Sequence, residues 1–336
     1  MLGVARRPPS APVRAPGTDP DGSTQAPRRA PVVTTAILIN NARAGQALHH
    51  GDTVTAQLAA CLGHIGLESV SLPFPDVATD PVQRERLFAL LDAGARRVVV
   101  LGGDGTVRSV ATLLLGRDVP LGIVPLGTAN LLARDLGLPL APEPAIAVQA
   151  ASRVHRIDVA RCNGETFLCA AMFGLATDLA RAREAARGIG AWRMLPRLLR
   201  KAYWVLKRYP FHRVHLRLDD APAVLSTRAL LVSNNPLTPQ AGLHPARTAL
   251  DTGRLGVYGV REGPLYDLPR LALTLLAGTW PREPRVFHRV CRRARIDTQR
   301  PLRTTALLDG EPTRLGTPLR FDSLPGALPV LVQAAD

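Results

Sequence analysis

Three short stretches hold the polar residues whose types and spacing could do chemistry. In Arg97-Val98-Val99-Val100-Leu101-Gly102-Gly103-Asp104-Gly105-Thr106 an apolar run ends in three glycines around one aspartate. Glycines let backbone N–H groups approach an anion closely, a following helix adds partial positive charge at its N-terminus, and the Thr106 hydroxyl can donate to a phosphate. Asp104 repels phosphate itself, but a carboxylate beside a polyphosphate is where a shared Mg²⁺ would be held. In the second stretch, Leu121-Gly122-Ile123-Val124-Pro125-Leu126-Gly127-Thr128-Ala129-Asn130, a short β-rich run stops at a Gly-Thr pair. In the third, Ala306-Leu307-Leu308-Asp309-Gly310-Glu311-Pro312, two carboxylates flank a glycine at a strand end. Plainer readings exist: a strand-to-helix turn with an aspartate cap for the first stretch, and an Asp-Gly hairpin turn for the third. No Walker A pattern and no GxGxxG occurs.

The elements that must position these residues follow from periodicity. Thr35 to Asn40 reads as a buried strand, Val54 to Ile65 as a helix, Glu68 to Phe74 as a strand and Pro81 to Ala93 as a helix that leads into the GGDGT strand. Val107 to Leu115 continues as a helix, another begins after Asn130, and Glu143 to Ala151 is one more. Strands alternating with helices imply a parallel sheet covered on both faces, with both glycine loops delivered to its carboxyl edge, where such folds bind ligands. After Ser152 the pattern changes. His155 to Ala160 and Glu165 to Met172 read as strands joined by a Cys162-Asn163-Gly164 turn, and alternating runs recur at Val214 to Leu218, Arg228 to Ser233, Leu255 to Val260, Val290 to Ile296 and Arg303 to Leu308. The fold class is therefore an α/β N-terminal domain, doubly wound, followed by an antiparallel β-rich second domain. The boundaries are a Pro/Arg-rich disordered tail over 1–34, an α/β domain over 35–150 and a β-rich domain over 151–336.

GGDGT followed by PLGTAN, in this order and spacing, resembles the diacylglycerol kinase catalytic-domain family, which includes bacterial lipid kinases and relatives of the sphingosine kinases; GGDG alone is shared with the NAD kinases. The resemblance implies an NAD-kinase-like first domain that binds ATP, a lipid acceptor in the cleft between two domains, and last residues that return to the first domain. It places Mg²⁺-ATP across Asn40 to Gly45, Gly102 to Arg108 (Gly102, Gly103, Asp104, Gly105, Thr106, Val107, Arg108) and Gly127, Thr128 and Asn130. It assigns Glu311, of LDGE, to accept the proton of the acceptor hydroxyl, leaves Asp309 to shape the turn, and joins Asp158 to Asp104 in a Mg²⁺ and water network. Phosphoryl transfer asks mainly for alignment and charge neutralisation, so few groups suffice.

The chain also departs from that pattern. Asn41 and Ala44 stand in a loop that usually reads Asn-Pro-x-Ser-Gly, Arg108-Ser109 replace Asn-Glu after GGDGT, and Leu131 stands where many bacterial members carry Asp. Thr252 replaces the aspartate of a structural Mg²⁺ loop, Thr248 to Leu255, so that ion is expected to be absent or weakly held. Two other functions remain open at this level: phosphorylation of a soluble acceptor such as NAD, and a non-catalytic nucleotide-binding module.

Composition sets limits. The 336 residues carry a formal charge of +15, and Lys201 and Lys207 are the only lysines, so arginine supplies the excess. Such a balance fits an anionic partner or a base-composition bias that writes arginine throughout. The aromatic-bearing strand of an RNA-binding module is missing, which argues against nucleic acid. Cys61, Cys162, Cys169 and Cys291 lie far apart and read as reduced packing residues of a cytoplasmic protein. His212 with His215, and the His49-His50 pair, read as bland. No apolar run approaches the length that spans a bilayer. Pro196 to Arg208 reads as a basic amphipathic helix flanked by Trp192 and Trp204, suited either to core packing or to the inner face of a membrane, where a lipid substrate would be met.

Overall fold

The computed structural model describes residues 35–41, 47–174, 210–242, 246–298 and 304–334. Among them the chain opens with β1 (Thr35–Asn40), α1 (Ala47–His64), β2 (Glu68–Pro73), α2 (Asp76–Thr79), α3 (Pro81–Asp92), β3 (Arg97–Gly102), α4 (Asp104–Leu114), β4 (Leu121–Pro125), α5 (Leu131–Asp135) and α6 (Pro142–Ala150). The four strands are parallel in the order β4-β3-β1-β2. Both faces are covered, which is why β3 and β4 are apolar almost throughout rather than alternating. Ile37, Ile39, Val98 and Val100 share a core with Leu87 and Leu91 of α3 and Val107, Val110, Ala111 and Leu114 of α4. The intervening Ala36, Leu38, Val99 and Leu101 pack on the other face against Val54, Leu58 and Leu62 of α1 and Ile146 of α6. Truncating one such leucine to alanine costs about 2–5 kcal/mol.

Antiparallel pairing begins with β5 (Ser152–Cys162), which turns through Asn163 and Gly164, both at positive φ, into β6 (Glu165–Phe167). There follow β7 (Ala170–Gly174), β8 (His212–Leu218), β9 (Ala221–Asn234), β10 (Leu255–Arg261), α7 (Leu268–Leu276), β11 (Val286–Cys291), β12 (Arg293–Thr298), β13 (Thr304–Leu308), β14 (Glu311–Leu315) and β15 (Leu319–Gln333). A core of Phe167, Phe173 and Phe321, stacked edge to face, with Val232, Leu216 and Leu308, holds this half together. The long pair β5 and β15 joins the halves. The early part of β15 pairs with β12 and the end of β5, while Leu328 to Gln333 pairs with the start of β5 and touches β4 in parallel at Val330 opposite Leu121. Fifteen strands thus form one sheet among the described residues.

Several boundaries differ from the sequence reading, each for a local reason. α1 begins at Ala47 rather than Val54, and α4 begins at Asp104 rather than Val107, so the GGDGT aspartate is already helical. The run Glu165 to Met172 is two strands, because the amides of Leu168, Cys169 and Ala170 are taken by the Asp309 carboxylate. Val290 to Ile296 is also two strands, broken at Arg292, where Asp219 Oδ1 accepts from the N–H groups of both Arg292 and Arg293 at 2.9 Å. β9 starts seven residues before Arg228, and α7 was not foreseen. The basic segment Pro196 to Arg208, with Trp192 and Trp204, lies outside the described residues.

Candidate active site

The two glycine loops meet backbone to backbone. Gly103, extended at ψ −176°, precedes α4, whose first amides have no side-chain cap and face outward at the positive end of the helix. Leu126, just past β4, donates its N–H to Gly102 O at 3.0 Å. A Cβ on Gly127 would lie 2.5 Å from Gly103 Cα and 2.7 Å from Asn130 Oδ1, so a side chain there would force the loops apart. Asn130, at φ 48°, closes its own loop by accepting from Gly127 N at 3.0 Å and donating to Gly127 O at 2.8 Å. Thr128 stands exposed at the lip.

Asp104 locks the loops together. Its Oδ1 accepts from Leu131 N at 2.7 Å, capping α5, which has no side-chain cap of its own. Burial raises its pKa above the ordinary carboxylate value; the Leu131 amide works against that rise, and the charge of Asp309 adds to it.

Other residues assigned to the nucleotide are turned inward. A Cβ on Gly102 would lie 2.9 Å from Thr106 Cβ and Oγ1, so this glycine makes room for Thr106 rather than for a ligand. The buried Thr106 hydroxyl accepts from Asn41 Nδ2 at 2.7 Å, tying the end of β1 to α4; only its backbone N–H remains among the helix-end amides. Val107 is core, and its N–H closes the first helical turn on Gly103 O. These three assignments are corrected accordingly. Asn40 donates to Thr55 Oγ1 at 3.0 Å, while its buried Oδ1 meets no partner among the described residues; Gly45 lies outside them.

The distant carboxylate reaches the loop from the other half. Asp309 at φ 50° and Gly310 at φ 89° form the tip of the β13–β14 hairpin, and Glu311 follows. A Cβ on Gly105 would lie 2.7 Å from Glu311 Oε1, so the carboxylate rests against the first turn of α4. Beneath it the buried Asp309 accepts from Leu168 N and Cys169 N at 2.7 Å and from Ala170 N at 2.9 Å. Burial raises the Asp309 pKa, opposed by those amides and by Arg108. Arg108 does not reach outward: its guanidinium donates to Leu308 O at 2.8 Å.

Sequence reasoning missed a buried pair that braces this arrangement. Arg247 donates through Nε to Asp135 Oδ2 at 2.9 Å and through one terminal nitrogen to Leu168 O and Asn234 O, each at 2.7 Å. It links the end of α5 to the turn that holds Asp309. The partners are 112 positions apart, with no local signal that joins them.

Residues 35–162 match the diacylglycerol kinase catalytic domain. A probable lipid kinase YegS of Escherichia fergusonii is 43% identical over 91 residues, which is 26% of this chain and 30% of that protein. A diacylglycerol kinase of Mycobacterium tuberculosis is 38% identical over 115 residues, or 33% and 36% of the two chains. The similarity thus spans about a third of the length of these curated relatives. Among solved structures, a putative diacylglycerol kinase of Bacillus anthracis superposes with a TM-score of 0.69 at 21% identity, over 90% of this chain and 99% of that one. A second B. anthracis diacylglycerol kinase gives 0.63 at 18%. The fold, an α/β half followed by a β-rich half, is that of the diacylglycerol kinases.

Among the described residues no three acidic, histidine or cysteine side chains gather to cage a metal ion. Mg²⁺ carried by a nucleotide needs only one or two carboxylates besides phosphate and water, which Asp104 fits. Asp158 does not fit. Its Oδ1 accepts from Gly326 N at 2.9 Å and its Oδ2 from Gly253 N at 2.6 Å, so both oxygens are engaged in anchoring two loops. In the Thr252 loop the hydroxyl donates to Asn235 Oδ1 at 2.6 Å, which also accepts the Thr252 N–H at 2.9 Å.

Proposed function

We propose that this protein is an ATP-dependent lipid kinase that transfers the γ-phosphoryl group to the hydroxyl of a diacylglycerol-like or sphingoid lipid. The observation that carries the reading is the Glu311 carboxylate seated against Gly105, a base from one half of the fold beside the phosphate-binding amides of the other. The amides of Asp104, Gly105 and Thr106 hold negative charge at the end of α4, and the bare Gly103–Gly127 contact lets backbone, rather than side chains, line the phosphate groups. Asp104 fixes the second loop and presents a carboxylate toward a nucleotide-borne Mg²⁺. That ion would neutralise charge on the transferring group. Glu311, exposed at its hairpin tip, accepts the proton of the incoming hydroxyl, a role worth about 10²–10⁴ in rate. The lipid would be met at the inner face of a membrane by a peripheral enzyme; among the described residues no helix is long and apolar enough to cross one.

The test is incubation of the full chain with labelled ATP, Mg²⁺ and a panel of lipids in mixed micelles, beside NAD, for wild type, Glu311→Ala and Asp104→Ala. Labelled lipid that disappears in both variants is expected. Labelled NAD with untouched lipid would overturn the reading, and no labelled product would favour a nucleotide-binding module.

A further inference from the structure

Arg108 lies in the first turns of α4, three residues after Gly105, where sequence alone suggests a cation added to the phosphate site. The structure gives it a different task. Its Nη1 donates at 2.8 Å to the carbonyl of Leu308, 200 positions away. Leu308 is the last residue of β13, immediately before the Asp309-Gly310 tip that delivers Glu311.

The tip is therefore restrained in two different ways. From one side, Asp309 is clamped by three amides of residues 168–170, which ties the tip to the turn before β7. Toward α4, the Arg108 bond fixes how closely the hairpin approaches the GGDGT loop, and it acts one helical step from the glycine that Glu311 touches. A planar guanidinium with donors in a rigid fork suits such a fixed approach better than a flexible point charge. We infer that Arg108 is a positioning residue for Glu311, holding the hairpin tip at the distance from α4 at which that carboxylate can take the acceptor proton. The inference rests on Glu311 being the base. Misplacement of a reacting group by about 1 Å is enough to cost about 10²-fold in rate.

The partly exposed position of Arg108 makes it a workable target, since it belongs neither to the amide clamp on Asp309 nor to any of the three cores. Kinetics of the full chain would be compared for wild type, Arg108→Gln, Arg108→Lys, Glu311→Ala and the double variant Glu311→Ala/Arg108→Gln. Arg108→Gln is expected to lower kcat by about 10- to 100-fold with KM for ATP little changed. Lysine should restore part of the loss, and the glutamine change should cost nothing further once Glu311 is gone. A raised KM for ATP at unchanged kcat, or losses that multiply in the double variant, would overturn the inference by showing that the guanidinium serves the nucleotide. Hydrogen exchange supplies a readout independent of turnover. In Arg108→Gln the amides of residues 309–311 should exchange at least severalfold faster while those of 168–170 stay protected, and unchanged exchange at 309–311 would also overturn it. If wild type phosphorylated no lipid but exchange responded as expected, the restraint on the hairpin would stand and the kinase reading would fall.

Discussion

A single methyl group is the sharpest probe of the phosphate site. Gly127→Ala would bring a Cβ to 2.5 Å from Gly103 Cα, a backbone atom, and 2.7 Å from Asn130 Oδ1, on a side chain held by two hydrogen bonds to Gly127 itself. Overpacking of this kind costs about 1–3 kcal/mol, so a lowered thermal midpoint and weakened titration by a fluorescent nucleotide are expected together. Gly63→Ala, in α1 with open space around it, should instead leave nucleotide binding alone and raise stability by up to about 1 kcal/mol. The acids make a pH prediction. Asp104 and Asp309 both have raised pKa values in the folded protein, so each binds its proton more tightly folded than unfolded. Their ionisation costs stability as pH rises through the folded values, and that cost is relieved as pH falls back toward the ordinary carboxylate range. Activity runs the other way, because protonated Asp104 is a poor acceptor and a poor metal ligand. The acid limb of kcat/KM should therefore have a midpoint above the ordinary value of 3.8; a midpoint at or below it would contradict the assignment. What was legible here was local: glycines, Thr128, Asn130 and Asp104 lie within a few residues of the turns they build. The inward rotation of Thr106 was not legible, since the space it fills belongs to Gly102 and the bond it makes belongs to Asn41.

At the scale of elements, the parallel strands and their covering helices were readable because each buries a continuous apolar run or a helical stripe. The antiparallel half was read less well, since its breaks are made by distant carboxylates: Asp309 splits β6 from β7, and Asp219 splits β11 from β12. The Asp135–Arg247 brace is the energetic counterpart of that lesson. Both side chains are almost wholly buried, and removing one leaves the other charge without compensation. Arg247→Met should cost about 3–5 kcal/mol in denaturant unfolding, and Asp135→Asn/Arg247→Met together should cost less than the sum of the two single changes. The other unforeseen element, α7, turns an apolar face outward. Leu271 is buried, whereas Tyr266 before it is 82% exposed, Leu273 66% and Leu276 43%, with the Arg270 side chain 70% exposed beside them. For the lipid kinase proposed above, this face is suited to the headgroup layer of a bilayer. Leu273→Glu with Leu276→Glu should then reduce co-sedimentation with anionic phosphatidylglycerol vesicles while leaving nucleotide binding unchanged; undiminished sedimentation would exclude α7 as the contact.

Across the whole molecule, the excess of arginine has partly structural uses. Arg247 and Arg108 brace the candidate site, and Arg97, at the opposite end of the parallel strands, donates to Gln149 O, where α6 ends. A groove of about 560 Å³ lies at that end between Arg96, Arg97, Asp118 and Ser152, beside the negative ends of α1, α3, α4 and α6. Arginines there face the negative helix ends, a use inside the fold rather than toward an outside partner. The path of β15 has a temporal meaning as well. Leu328, Val330 and Val332 complete the core beneath α3 and α4, so the α/β half is finished by residues made after most of the β-rich half. Until they arrive, the rim of β4 stays open and its apolar neighbours wet. A shortened product ending before residue 328 should therefore be a client of chaperones and proteases rather than a smaller working enzyme.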